Sequence, residues 1–196
     1  VTDIANAIYY RTDALMLSGE TAYGKYPVEA LRTMSQIAEQ AEKDKLEEND
    51  IRIPLSSDNI DVTAFLAKQA VKATAKMNIR AIITDSYTGR TARYVAAFRG
   101  KYPVLAICYR EKTMRLLALS YGVLPIFQEE KDSARTYFFS ALQMLLEGKR
   151  VKPEDMFAYL SGSFGEGGGT TFLEINKVNK VLTNADNYVL PTFTQR

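Results

Sequence analysis

The sequence predicts an α/β fold, a mostly parallel sheet flanked by helices on both faces. Three observations carry this. Short continuous apolar runs recur, such as Ala81 to Thr84 and Val104 to Cys108. They are strand-sized and unalternating, as strands buried on both faces are. Segments with apolar residues at helical spacing separate them, and strand–helix alternation points to parallel crossovers. The chain has 196 residues, 46% hydrophobic and 24% charged, enough to bury a real core and too apolar for a disordered chain.

In chain order, Ile4, Ala5, Ala7 and Ile8 open a helix. Ala14 to Leu17 is expected to be a buried strand, and Ser18 to Thr21 the loop at its end. Pro27 suits the first turn of the next helix, whose stripe is Val28, Leu31, Met34, Ile37, Ala38 and Ala41. Residues 1–45 therefore read helix–strand–helix. The charged stretch Glu42 to Asp50, followed by Pro54, Ser56 and Ser57, marks a boundary. Asp58 or Asn59 is expected to cap a helix reaching Met77. Then strand and helix alternate: strand Ala81 to Thr84, helix Thr91 to Phe98, strand Val104 to Cys108, helix Thr113 to Tyr121. Strand Val123 to Phe127, helix Ser133 to Leu146 and strands Met156 to Leu160 and Phe172 to Ile175 complete the series.

Composition excludes several functions. Lys plus Arg is 25 against 23 for Asp plus Glu, a net charge of +2, so no strong field favours nucleic acid or an anionic membrane. Arg93, Arg99, Lys101 and Arg110 form no basic stripe with interleaved aromatics. With no His, there is no Ser-His-Asp triad, no Cys-His pair and no usual zinc site. The single Cys108 lies in an apolar run and is expected to be an inert core thiol; a lone cysteine fits a reducing, cytoplasmic location. No run approaches the length of a membrane span, and the first residues do not read as a secretory signal. The absence of an initial Met suggests an excised piece.

Three segments hold candidate chemistry. Ile83 to Thr91, ITDSYTGRT, joins an apolar strand to a helix start. The first N–H groups of that helix lack intrahelical partners, and its dipole favours an anion. Ser86, Thr88 and Thr91 add hydroxyls, Gly89 allows close approach, and Arg90 can supply a charge-assisted contact. The list suits a phosphate cradle; the plainer alternative is an ordinary capped turn. Gly162 to Thr170, GSFGEGGGT, is neither a Walker A loop nor a dinucleotide fingerprint. It is either a mobile cover for a ligand or a flexible connection between strands. Leu17 to Lys25, LSGETAYGK, places Ser, Glu and Thr after an expected strand, with no histidine base and no metal constellation.

The opening segment resembles the end of the catalytic barrel of pyruvate kinase. The matching residues are Asp3, Ala5, Asn6 and Ala7; Met16 to Ala22; and Gly24, Tyr26, Pro27, Glu29 and Ala30. The remainder resembles that family's C-terminal domain through ITDSYTGRTARYVAAFR, PVLAIC, the Gly-Val-x-Pro ending at Pro125, and the glycine loop. The resemblance implies residues 1–47 as the last strand and helix of a (β/α)8 (TIM) barrel, and residues 48–196 as the C-terminal α/β domain. It implies part of an enzyme that moves a phosphoryl group from phosphoenolpyruvate to ADP, with magnesium and potassium in the full-length enzyme and no cofactor in this piece. The family's catalytic lysine and metal-binding carboxylates lie upstream, so the piece alone is expected to be inactive.

By the same resemblance, Ser18, Glu20 and Thr21 border the active site as supporting residues. Ser86, Tyr87, Thr88, Gly89, Arg90 and Thr91 match the turn that holds an effector phosphate. Phe164, Gly165, Gly167, Gly168 and Gly169 match a flap over it. Expected partners are a phosphorylated metabolite, either a sugar phosphate or AMP, and further copies of the chain in a tetramer, with no nucleic acid and no membrane. Tyr87 stands where several sugar-bisphosphate-regulated members carry Lys, the chain has no Trp, and Arg135 is the nearest basic residue on a following helix. The alternative is an oligomerisation domain without an effector site. Cut from a barrel, Leu15, Leu17, Leu31 and Met34 would expose an apolar patch.

Overall fold

The structure is a computed structural model that describes residues 1–46, 61–129, 134–162 and 169–183. It divides into two compact units, Val1–Arg52 and Ile53–Arg196.

In the first unit, helices α1 (Thr2–Tyr9) and α2 (Gly19–Ala22) pack on the long α3 (Pro27–Leu46). Pro27 takes the first helical position, as expected. The strand expected at Ala14 to Leu17 does not form. A strand needs a neighbour to take its N–H and C=O groups, and no other extended segment is described in this unit. The loop expected at Ser18 to Thr21 instead tightens into the single turn α2. Gly24 makes the exit from that turn possible: a Cβ there would sit 2.3 Å from the Glu20 carbonyl oxygen. Leu31 is exposed, while Leu15, Leu17 and Met34 are half-buried.

The second unit follows the expected alternation. Its elements are α4 (Val62–Lys76), β1 (Ile79–Ser86), α5 (Arg90–Ala97), β2 (Val104–Cys108), α6 (Glu111–Leu117), β3 (Val123–Phe127), α7 (Ala134–Glu147), β4 (Met156–Gly162), β5 (Thr170–Lys177) and α8 (Val178–Thr183). The strands form one sheet in the order β3-β2-β1-β4-β5. The first three pairings are parallel, and β5 runs antiparallel to β4. The cap of α4 is neither Asp58 nor Asn59, which lie outside the described residues, but Asp61. Its carboxylate accepts from the N–H groups of Thr63 at 3.0 Å and Ala64 at 3.3 Å.

Because side chains alternate across a strand, β1, β2 and β4 feed two cores. On one face Ala81, Ile83, Leu105, Ile107, Phe157 and Tyr159 pack with Phe138, Leu142 and Leu145 of α7 and Val178 and Val181 of α8. On the other, α4 and α5 close on the sheet through fully buried alanines such as Ala67, Ala70 and Ala92. Small residues allow helix and sheet to approach closely there. Cys108 is buried in β2, its thiol pushed by desolvation up to about 11, so it stays protonated and inert.

Leu105→Ala removes a central side chain that is 1% exposed. It should cost about 2–5 kcal/mol, read as a lowered urea midpoint with an unchanged m-value.

Candidate functional site

The parallel strands β1, β2 and β4 all end at one edge of the sheet. The chain leaves β1 toward β2 and β3 on one side, then returns to add β4 on the other. That reversal opens a crevice at the carboxyl ends of β1 and β4, where doubly wound folds place their ligands. A pocket of about 530 Å³, part of it open to solvent, lies there. It is lined by the whole turn Ser86 to Thr91, by Asp85, Thr63 and Tyr109, and by Ser161, Gly162, Gly169 and Thr170 from the β4–β5 edge.

The turn is shaped by Gly89, which caps α5 with φ 81°. A side chain at that φ would be strained, and its Cβ would meet Arg93 Nη1 at 3.0 Å and Leu117 Cδ2 at 3.1 Å. The first-turn N–H groups of Thr91 and Ala92 have no acceptor within the helix and border the pocket through Thr91.

The other turn residues divide their roles. Ser86, buried, shares a hydrogen bond with Thr84 across 3.2 Å. Thr88 Oγ1 accepts from the Arg90 N–H at 3.4 Å, a local turn bond, while the N-cap position of α5 is Gly89 and has no side-chain cap. Thr91 and Thr170 hydroxyls bond across 2.7 Å, tying α5 to β5. Tyr87 lines the pocket and is held by Arg110 and Thr113. The Arg110 guanidinium lies 4.1 Å above its ring and donates to its hydroxyl at 2.6 Å, while its carbonyl accepts from Thr113 Oγ1 at 3.0 Å. Arg90 is not free: its Nη2 donates to Asp61 Oδ2 at 2.7 Å. The Arg90 side chain is 55% exposed, so that pair is screened and weak.

Phe164, Gly165, Gly167 and Gly168 of the expected flap lie outside the described residues, as does the Arg135 side chain; Gly169 lines the pocket. Ser18, Glu20 and Thr21 belong to the first unit and serve α2 itself. Glu20 Oε2 accepts from the Ser18 N–H at 3.1 Å, and Thr21 Oγ1 donates to the Ser18 carbonyl at 3.3 Å.

The sequence reading did not single out the pocket's carboxylate. Asp85 Oδ1 accepts from Tyr109 Oη at 2.5 Å; Oδ2 accepts from Ser161 Oγ at 2.6 Å and from the Tyr159 hydroxyl. Burial pushes Asp85 above the usual aspartate range, against these three donors, which pull it down. Burial, and next the Asp85 charge, push the Tyr159 phenol well up, so it remains a donor. Asp61 goes the other way. Burial would raise it, but Tyr94 at 2.6 Å, Arg90 and the Ala64 N–H together hold it below its ordinary value. A charged residue inside the run IITDS was the available signal for Asp85. Among the described residues, no group of three Asp, Glu, Cys or His could hold a metal ion.

The sequence pattern described as "Pyruvate kinase, alpha/beta domain" matches residues 65–176, and that of the "Pyruvate kinase, barrel domain" matches residues 1–31. The chain belongs to the pyruvate kinase family. It is 40% identical to the pyruvate kinase of Borreliella burgdorferi, over 93% of this chain and 39% of that protein. It is 36% identical to that of Clostridium acetobutylicum, over 87% of this chain and 36% of that one. For Geobacillus stearothermophilus pyruvate kinase the identity is 34%, over 92% and 31%. The chain thus spans about a third to two-fifths of the pyruvate kinases it matches. Within this family membership, the α/β unit is the part that carries the pocket.

Asp61 contributes stability that is fully present above its unfolded value and is lost as pH falls through its lowered folded value. Asp61→Ala should therefore cost about 1 kcal/mol near neutrality through the lost cap, a difference that shrinks in acid. Asp61→Asn, which can still cap, should cost less; urea unfolding of both across pH decides.

Proposed function

We propose that this chain forms the C-terminal part of a pyruvate kinase, whose whole enzyme transfers a phosphoryl group from phosphoenolpyruvate to ADP. In this reading, magnesium, potassium and the catalytic side chains are supplied by parts of the enzyme outside this chain, which alone is inactive. The α/β unit binds a phosphorylated metabolite, a sugar phosphate or AMP, and its binding biases a cytoplasmic tetramer toward one state by differential affinity. Residues 1–47 complete the barrel, and Ser18, Glu20 and Thr21 support the active-site border.

One observation carries the effector reading. The first-turn amides of α5 that have no acceptor within the helix share a pocket with the hydroxyls of Thr88 and Thr91, at the sheet's switch point. In the bound state Arg90 exchanges its weak pair with Asp61 for the ligand phosphate, a stronger charge-assisted contact.

A second reading is favoured by a separate observation: the cradle's side chains are already engaged within the protein, Arg90 with Asp61 and Thr91 with Thr170. On that reading the unit only assembles subunits. Calorimetry with fructose 1,6-bisphosphate, ribose 5-phosphate, glucose 6-phosphate and AMP separates the two. One of them should bind, and Arg90→Ala should weaken it by about tenfold, the loss of one charged hydrogen bond. Silence from all four, with Arg90→Ala unchanged, leaves the assembly role standing.

A further inference from the structure

An anion site is expected to be lined by donors and positive charge, yet a carboxylate lines this pocket. Asp85 is the next-to-last residue of β1 and is partly open to the cavity it lines. Its bonding partners among the described residues are all neutral hydroxyls: Tyr109 after β2, and Tyr159 and Ser161 on β4. No cation bonds it. Among the described residues, the charged groups near it include Arg93 of α5, whose Nη1 lies beside Gly89. Arg90, at the start of α5, is turned to Asp61, just before α4. Arg110 is stacked on Tyr87. Glu174 on β5 sits across from Tyr159 in the ladder and does not line the pocket. With Asp61 and Asp85 both ionised, the charges of Arg90 and Arg93 are no more than balanced at this pocket.

Ligands with two negative charges therefore meet a like charge in a site of reduced dielectric, where repulsion is several times stronger than in water. The Asp85 environment offers a way out. Burial already favours the neutral acid, and a carboxyl proton can be donated to Tyr109 or Ser161, whose hydroxyl oxygens also accept. We propose that the pocket is a proton-coupled anion site: a dianion seats at the start of α5 only when Asp85 carries a proton, so each binding event takes one proton from solvent. This rests on the anion-site reading above and adds to it a specificity determinant, since a neutral ligand escapes the requirement and a monoanion meets about half the repulsion.

The test uses sulfate, a dianion throughout the range, titrated calorimetrically into the 196-residue chain from about pH 5 to about pH 8. The wild-type affinity should fall by roughly tenfold per pH unit once Asp85 ionises, with about one proton taken up per sulfate in buffers of different ionisation enthalpy. Asp85→Asn, which preserves the shape and the hydroxyl contacts, should bind sulfate with a nearly flat pH profile and more tightly than wild type at the alkaline end. Tyr109→Phe removes one donor to the carboxylate, makes protonation easier, and should move the fall to higher pH. Glu174→Gln should leave the profile unchanged. A wild-type profile as flat as that of Asp85→Asn, or two profiles falling in parallel, overturns the proton coupling while leaving the anion site. Absence of sulfate binding at any pH in wild type and Asp85→Asn alike overturns both.

Discussion

Pairing between β1 and β4 governs the rest of the second unit. Asp85 and Tyr159 lie 74 positions apart in the chain, and Asp85 and Ser161 lie 76 apart. Only the parallel register that sets Ile83 beside Tyr159 and Thr84 beside Leu160 brings them together. The same pairing fixes which face Tyr159 occupies: its ring packs against Phe138 and Phe172 while its hydroxyl reaches the sheet's edge. A slip of one residue would send that ring to the opposite face and leave the Asp85 carboxylate without its donor. Fold and site thus rest on one ladder, with the aromatic core holding the hydroxyl that the pocket uses.

The elements were legible where local pattern and tertiary demand agree. Val104 to Cys108 reads as a strand because both its faces are covered, so the whole run is apolar; Val123 to Phe127, at the sheet's edge, keeps an apolar run although only Val123 is fully buried and Phe127 is exposed. The turn at Gly89 was legible from its place between an apolar run and a helix start; its left-handed φ of 81° is what the structure adds. Ala14 to Leu17 has the same apolar character but no ladder partner, and composition cannot reveal whether a neighbour exists. The α4 cap was misplaced for a related reason: Asp58, Asn59 and Asp61 all have capping chemistry. What selects Asp61 is its second role against Arg90 and Tyr94, a contact with residues 29 and 33 positions away. Asp85 lay in plain view within ITDSYTGRT, but nothing local shows that two tyrosines and a serine converge on it.

Two aspartates border the pocket region, and their surroundings push them apart. Asp61 is held low by an arginine, a tyrosine and helix amides, while Asp85 is pushed high by burial among hydroxyls. Divergent environments around paired carboxylates assign them different duties at the same pH. Asp61 is the structural charge: it caps α4 and holds Arg90 in place. Asp85 is the group whose charge burial makes costly to keep, with no cation bonded to it among the described residues.

The signs of these two shifts set the order of events on acidification. Asp85 has a raised folded value, so its neutral form is favoured by folding; the associated stability is present in acid and is lost as pH rises through that value. Asp61 has a lowered folded value, so its contribution persists until the pH falls below the ordinary aspartate range. Between the two lies a window in which the floor of the pocket is uncharged while the α4 cap and the Asp61–Arg90 pair remain intact. On the proposed anion-site reading, a dianion arriving within that window no longer faces a charged Asp85, and among the described residues it competes for Arg90 with Asp61 and Tyr94. The exposed geometry of that pair makes the competition winnable, since a screened surface contact of about 0.2–1 kcal/mol is small beside a charge-assisted bond in a partly closed pocket.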